Sequence, residues 1–305
     1  MAAIQEPYKS VVITCVMAAH NAASTIAASV ESVLRQSFRD LELIVVDDGS
    51  TDETVKTLDG IDDERIVVLR QPQRGPSAAR NYAIARSRGE FIAPIDADDI
   101  WLPRKLELQL SAIEHRADAA VVYGWTDFVD ERLQPSHPDT RATFEDNVRE
   151  ALLRQNFIAC GSNTLMRRSA VEEVGCFDET LHAAEDWELH TRLAARYAFV
   201  VVPEVVVLYR QSPHSITSHF LLMEKNFLAA CRKIFDAAPA HLRSLEVRQK
   251  SSFYRYLTVR AAHSQSTKGR LRAVLRYSAL AAWLDPKMFM KEARRRALKL
   301  VNMRA

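Results

Sequence analysis

Across its first hundred residues the chain switches back and forth between two hydrophobic periods, and no other feature limits its fold so tightly. Short runs rich in Val and Ile read as buried strands at 11–17, 41–47, 65–69 and 90–95. Between them lie helical patterns at 22–36, 51–58 and 76–87. The first carries Ile26, Val30, Val33 and Leu34 on one face. The second opens with Ser50-Thr51-Asp52-Glu53, a capping-box pattern that makes Ser50 the expected N-cap. The third has Pro76 in its first turn and Gly89 just past its end. Strand–helix alternation of this kind predicts an α/β fold, a doubly wound, mostly parallel sheet with helices on both faces.

The middle of the chain is less regular. Helices are expected at 103–116, 144–156, 168–174 and 186–196, and strands at 119–129, 163–166 and 199–208. Residues 135–143 read as a polar loop. Past about 215 the pattern turns helical, at 218–236, 240–264, 268–284 and 286–302. The expected division is therefore an α/β domain at 1–215 and a helical C-terminal region at 216–305. With 48% hydrophobic and 26% charged residues, 305 residues suffice for a sizeable core. A net charge of +2 is too balanced to argue for nucleic acid as a partner. Cys15, Cys160, Cys176 and Cys231 lie far apart with no CxxC pair, which favours free thiols and a reducing compartment. No signal-peptide pattern or membrane-spanning run is read, so a cytoplasmic location is expected.

Every early strand ends in polar residues. Ala18-Ala19-His20-Asn21 follows the first, Asp47-Asp48-Gly49-Ser50 the second, and Asp96-Ala97-Asp98-Asp99 the fourth. In a parallel sheet these tips converge on one crevice. Clustered carboxylates there suit a hard divalent cation such as Mg2+ or Mn2+. Asp99 also stands where an N-cap would precede a helix from Trp101. Ala18, Ala19, Gly49, Gly75, Ser77, Ala78 and Ala79 leave room for a flat ring and a phosphate chain, and Arg74 and Arg80 offer positive charge. A second constellation, Ala183-Ala184-Glu185-Asp186-Trp187, opens a helix; a carboxylate at a helix N-terminus is stabilised in its ionised form and suits a general base. Neither GxGxxG nor GxxxxGK[ST] occurs, which argues against dinucleotide-binding Rossmann enzymes and P-loop NTPases.

The segments VVITCVMAAHNAASTIAASVESVLRQSFRDLELIVVDDGSTDET, GPSAARNYAIARSRGEFIAPIDADD and AEDWEL, in that order, resemble the family-2 glycosyltransferases of GT-A fold over about 10–215. The resemblance implies an inverting transfer of one sugar, by a hexosyltransferase or a related enzyme, from a nucleotide diphosphate sugar, UDP favoured. The acceptor would be a hydroxyl of a glycan or glycoconjugate of the cell envelope. Asp47 and Asp48 match the element that reads the donor base, and Ala18 and Asn21 the loop framing base and ribose. Arg80 matches a basic residue near the diphosphate, Asp96 the ribose-side acid, and Asp98 the ligand of Mg2+ or Mn2+. Asp186 matches the catalytic base; beside it Glu185 reads as the base's neighbour or an acceptor contact, and Trp187 as core or as an aromatic bordering the acceptor sugar.

The match has departures. Many relatives carry a histidine two residues after a Tyr-Arg pair; here Ser212 stands there and His214 is displaced. The QxxRW element of processive synthases is missing. Two other readings stand beside this one, a sugar-nucleotide nucleotidyltransferase and a non-catalytic glycan-binding protein. The first needs a Gly-rich triphosphate loop near the N-terminus; the second has no use for both acidic motifs. The tail at 287–305 holds seven Lys or Arg against one Glu, with apolar residues interleaved. It reads as a contact with the inner membrane face, a homodimer contact, or a solvated helix face.

Overall fold

The computed structural model describes residues 11–138, 141–211, 220–262, 270–287 and 290. Two compact units are present: Met1–Arg149 with Asn156–Ser215, and Glu150–Gln155 with Ile216–Ala305.

The first unit is built on β1 (Ile13–Ala19), β2 (Leu41–Asp48), β3 (Ile66–Gln71), β4 (Phe91–Asp96) and β5 (Ile100–Trp101). To these the chain adds β6 (Ala119–Val129), β7 (Pro135–Pro138), β8 (Leu165–Arg167) and β9 (Ala198–Arg210). Their order in one sheet is β3-β2-β1-β4-β8-β6-β9-β5, with β7 pairing on β6. The β3-β2-β1-β4 half is wholly parallel. Beyond β4 the sheet is mixed: β8 runs antiparallel to both β4 and β6, β6 and β9 are parallel, and β5 is antiparallel to β9.

Both faces of β1, β2 and β4 are buried, as parallel strands inside a sheet require, while β3 at the edge is only partly covered. On β1 and β2 the residues Ile13, Cys15, Met17, Leu43 and Val45 share one core with Ile26, Val30 and Val33 of α1 (Ile26–Leu34) and Leu106 of α4 (Lys105–Ile113). Successive side chains on a strand point to opposite faces. The alternate residues Val16, Ile44 and Val46 are buried too, and α3 (Pro76–Ile84) packs on β1 and β2. The remaining helices of this unit are α2 (Thr54–Asp59), α6 (Arg168–Glu173) and α7 (Glu185–Leu193). Cys15, Cys160, Cys176 and Cys231 are free thiols, all but Cys176 buried.

Several expectations need correction. The short helix α2 begins at Thr54, not after Ser50, and Asp52 accepts the Thr54 N–H at 3.0 Å. The chain first turns at Gly49 (φ +74°), which sends the Ser50 hydroxyl to the Asn21 N–H instead. Residues 135–138 form a strand on β6 rather than a loop. Of 144–156 only α5 (Arg149–Arg154) is helical, because Asp146 bridges to Phe199 at the sheet edge. Asp99 caps no helix: β5 follows it, and α4 starts only at Lys105.

In the second unit α8 (Phe220–Asp236), α9 (Leu245–Ala262) and α10 (Arg270–Leu284) are described. The helices α9 and α10 lie antiparallel, with Ser251 bonded to the Ala281 carbonyl at 3.0 Å and Tyr254 stacked on Tyr277. Glu224 of α8 joins them, accepting from Tyr254 Oη at 3.0 Å and from Arg276 at 2.7 Å. Tyr254, Leu257, Tyr277 and Ala281 form the local core.

Candidate active site

Register brings the strand tips level. Ala18 lies between Val46 and Asp96 on the neighbouring strands, and Ala19 beside Asp47. The loops beyond them are tied together by side chains. Asn21, in the left-handed region at φ +50°, donates its N–H to Ser50 Oγ and accepts the Thr51 N–H on Oδ1 at 2.8 Å. His20 donates Nδ1–H to the Asp48 carbonyl at 3.0 Å, which leaves Nε2 to accept from Asn21 and Gln73. His20 is thus a loop hydrogen-bonder.

Asp47 and Asp48 are both buried. Asp47 accepts the Ser50 N–H at 3.2 Å and closes the turn after β2. Asp48 accepts three N–H groups at 2.8 Å: Gln71 Nε2 and the Arg74 backbone on Oδ1, and the Gly75 backbone on Oδ2. The carboxylate of Asp48 therefore clamps the 71–75 loop. Gly75 sits at φ +96°, and a Cβ there would come within 2.8 Å of His182 Nδ1. Ser77, Ala78 and Ala79 are buried in α3, which packs on the sheet, and Ser77 Oγ donates to the Leu181 carbonyl at 3.0 Å. Arg74 points to Glu179, bonded at 2.9 Å.

Arg80 is the centre of the acidic cluster. It is buried; Nη1 donates to Glu185 Oε1 at 2.6 Å and Nη2 to Asp96 Oδ1 at 2.5 Å. Burial opposes its charge, but Asp96 and Glu185 outweigh that and hold the guanidinium protonated. The cation faces the Phe177 ring at 5.3 Å. One side chain from α3 thereby joins the end of β4 to the start of α7.

Carboxylate oxygens of Asp96, Asp98 and Asp99 lie within 4.8 Å of one another. The proximity has a measurable consequence. Burial, then the Asp96 charge, pushes the Asp98 carboxyl up to about 6. Asp99 is pushed well above the usual carboxylate range by burial and by Asp98 and Asp96. Asp99 is held by Ser162 Oγ at 2.5 Å and the Arg210 N–H at 3.2 Å, and Ser162 Oγ also accepts the Asp96 N–H at 2.9 Å. Arg210 Nε donates to the Asp98 carbonyl at 2.9 Å. Three hard oxygen donors this close together fit Mg2+ or Mn2+, whose charge would relieve the repulsion that, after burial, raises Asp98 and Asp99.

The helix α7 opens at Ala184 (φ +62°), and Glu185 and Asp186 occupy its first turn. Asp186 Oδ1 accepts the Trp187 N–H at 2.7 Å. Burial first, then the Glu185 charge, pushes the Asp186 carboxyl up to about 7, so the helix end does not keep it at the ordinary value. Opposite it stands Gly161, where a Cβ would lie 3.7 Å from Asp186 Cβ and 4.0 Å from Arg80 Nη2. Trp187 is 1% exposed and belongs to the core, as the first of its two readings had it, and not to an acceptor surface. Glu185 is buried against Arg80.

Ser162, Gly161 and Arg210 are the residues that sequence reasoning missed. Only Arg210 carried a signal, as half of the Tyr-Arg pair. The expectations for Ser212, His214 and most of the basic tail lie outside the described residues.

The sequence matches the family described as Glycosyl transferase family 2 over residues 14–175, just over half of the chain. The chain belongs to this family. Among its relatives, the succinoglycan biosynthesis protein ExoU of Rhizobium meliloti is 35% identical over 60% of this chain and 57% of its own length. The Escherichia coli UDP-Glc:alpha-D-GlcNAc-diphosphoundecaprenol beta-1,3-glucosyltransferase WfgD is 42% identical over 32% of this chain and 40% of its own length. The chain thus spans about half the length of these two relatives. Its fold matches crystal structures of S. aureus TarS 1-349. In the complex with UDP-GlcNAc the TM-score is 0.67 at 18% identity, over 94% of this chain and 92% of that one. The mannosyltransferase PcManGT of Pyrobaculum calidifontis, in complex with GDP-Man and Mn2+, gives a TM-score of 0.58 at 19% identity, over 94% of this chain and 80% of that one. The chain therefore has the GT-A-like architecture, a mostly parallel mixed sheet with helices, followed by C-terminal helices.

Proposed function

We propose that this transferase moves one sugar from a UDP-sugar to a hydroxyl of a glycan or glycoconjugate acceptor, with inversion and with Mg2+ or Mn2+. The observation that carries the reading is the Arg80 bridge, which gathers Asp96 and Glu185, and with them Asp98 and Asp186, into one crevice. The donor nucleotide lies over Ala18 and Asn21, against the loops organised by Asp47 and Asp48, with Asp96 on the ribose side. Asp98, with Asp96 and Asp99 behind it, would hold the metal. That ion, when bound, offsets the charge of the departing nucleoside diphosphate.

Asp186 removes the proton from the acceptor hydroxyl as that oxygen attacks the anomeric carbon. The sugar–phosphate bond breaks on the opposite face, so one displacement inverts the centre. Glu185 contacts the acceptor side, and its bond to Arg80 fixes the start of α7. The preference for UDP is supported by the relatives named for UDP-Glc and by the TarS complex with UDP-GlcNAc. ExoU, named for succinoglycan biosynthesis, and WfgD, named for a GlcNAc-diphosphoundecaprenol, support a glycan or glycoconjugate as acceptor. We assign residues 1–215 to catalysis and 216–305 to a helical appendage, in a cytoplasmic enzyme. Among the described residues no helix is long and apolar enough to cross a membrane.

Melting curves with a panel of nucleotide sugars test this. UDP-sugars with Mn2+ should raise Tm by several degrees, by an amount that grows with ligand concentration, and excess chelator should remove most of the shift. An equal response to nucleoside triphosphates, with pyrophosphate release from sugar phosphate and triphosphate, would favour the nucleotidyltransferase reading instead.

A further inference from the structure

The outward side of α10 carries a ridge that the sequence pattern did not reveal. Leu271, Leu275 and Trp283 are 71%, 61% and 78% exposed, with Ala279 exposed between them. Their spacing of four places them along one row of a helix. The opposite side, Tyr277 and Ala281 with Ala273, Leu280 and Leu284, forms the core with α9. The ridge is therefore not a by-product of a helix lacking a core. Met290, further along, is 54% exposed. Leu221 of α8 is 73% exposed, and its neighbours Phe220 and Glu224 contact Tyr277 and Arg276 of α10. A run of large apolar side chains in water, including the most exposed tryptophan, marks an interaction surface.

Charge tells which partner. Residues 268–305 hold 11 Lys or Arg and two acids, Asp285 and Glu292, while the whole chain holds 41 and 39. The rest of the chain is thus net acidic, and in the sequence the excess of positive charge belongs to α10 and the segments flanking it. Arg270, Arg272 and Lys287 are exposed beside it. Leu and Trp in the middle of a basic flank match the boundary between acyl chains and anionic headgroups. Indole rings favour that depth, since one end is apolar and the other donates a hydrogen bond.

We propose that the α10 ridge docks the protein on an anionic lipid surface, with Leu271, Leu275 and Trp283 entering the headgroup boundary. The inference does not depend on the reading of the active site. Its test uses the full chain and sedimentation with phosphatidylcholine vesicles, with or without phosphatidylglycerol. The unmodified protein should sediment only with the anionic vesicles, and less in high salt. Trp283 fluorescence should shift to the blue, since Trp101 and Trp187 are already buried and Trp125 is half-buried. Leu275→Gln and Trp283→Gln keep the charge and the helix propensity, should leave Tm nearly unchanged, and should weaken binding about tenfold each.

Absence of binding by the unmodified protein overturns the proposal. So does undiminished binding by both variants, which would leave attraction to the basic charge alone. Conversion of a dimer to a monomer by these variants, with no change in vesicle binding, would give the ridge to a second copy of the chain.

Discussion

Asp98 and Asp186 hold protons more tightly than an ordinary carboxyl, for two different neighbours. Asp98 is buried beside Asp96, and Asp186 is buried beside Glu185. A base works ionised, so kcat/KM should rise with pH through about 7, the Asp186 value. Below about 6, where Asp98 also takes a proton, the fall should steepen from one power of ten per pH unit toward two. A pH–rate profile measured at low donor concentration checks this. Asp98 also makes a stability statement. Its folded pKa lies above the unfolded value, so its ionisation costs stability as pH rises from about 4 through about 6. Asp98→Asn should therefore stabilise the metal-free protein at pH 7.5 by about 1–2 kcal/mol after allowance for its partial exposure, with no gain at pH 4. The same variant should lose most transfer activity and its response to Mn2+. Thermal melting at the two pH values, alongside activity, tests the pair of outcomes. The motifs pointed to these acids, but what lifts Asp98 and Asp99 is burial and then mutual repulsion, which no spacing rule states. Asp99 illustrates the gap: in sequence it resembles a helix cap, and in space it anchors Ser162 and the Arg210 backbone.

At the scale of elements, the crevice is a set of loops held by buried carboxylates. Asp48 accepts the N–H groups of Arg74 and Gly75, so the end of β2 shapes the approach to α3. Asp48→Ala leaves buried donors without a partner. It should cost about 2–4 kcal/mol of stability and raise the KM for the nucleotide sugar with a smaller effect on kcat. Urea unfolding and steady-state kinetics separate those effects. The identity of β1 to β4 was readable because each is a short run of Val and Ile ended by a polar tip. Ser50 was misread because a capping box looks the same whether or not a glycine turn precedes the helix. Residues 135–138 were misread for a related reason. Pro135, His137 and Pro138 carry no strand pattern, and only the long neighbour β6 draws them into pairing. Arg80 could be named from the motif, yet its bridging of Asp96 and Glu185 came only from the meeting of α3, β4 and α7.

Across the whole molecule, the parallel half of the sheet followed from alternation alone. The mixed half did not, because β8 is three residues long and pairs with β4 and β6, strands distant in sequence. That mixed half supplies Gly161, Ser162 and Arg210, which is why the floor of the crevice was the part least visible beforehand. The central claim is that one crevice binds the donor through β-strand tips and performs transfer through Asp186. Parallel measurement of donor affinity and transfer rate in Asp186→Asn tests it most directly. The account predicts transfer reduced at least a thousandfold, about 4 kcal/mol in the barrier, with UDP-sugar affinity in Mn2+ within about threefold of the unmodified protein. A variant that keeps most of its turnover would contradict the account.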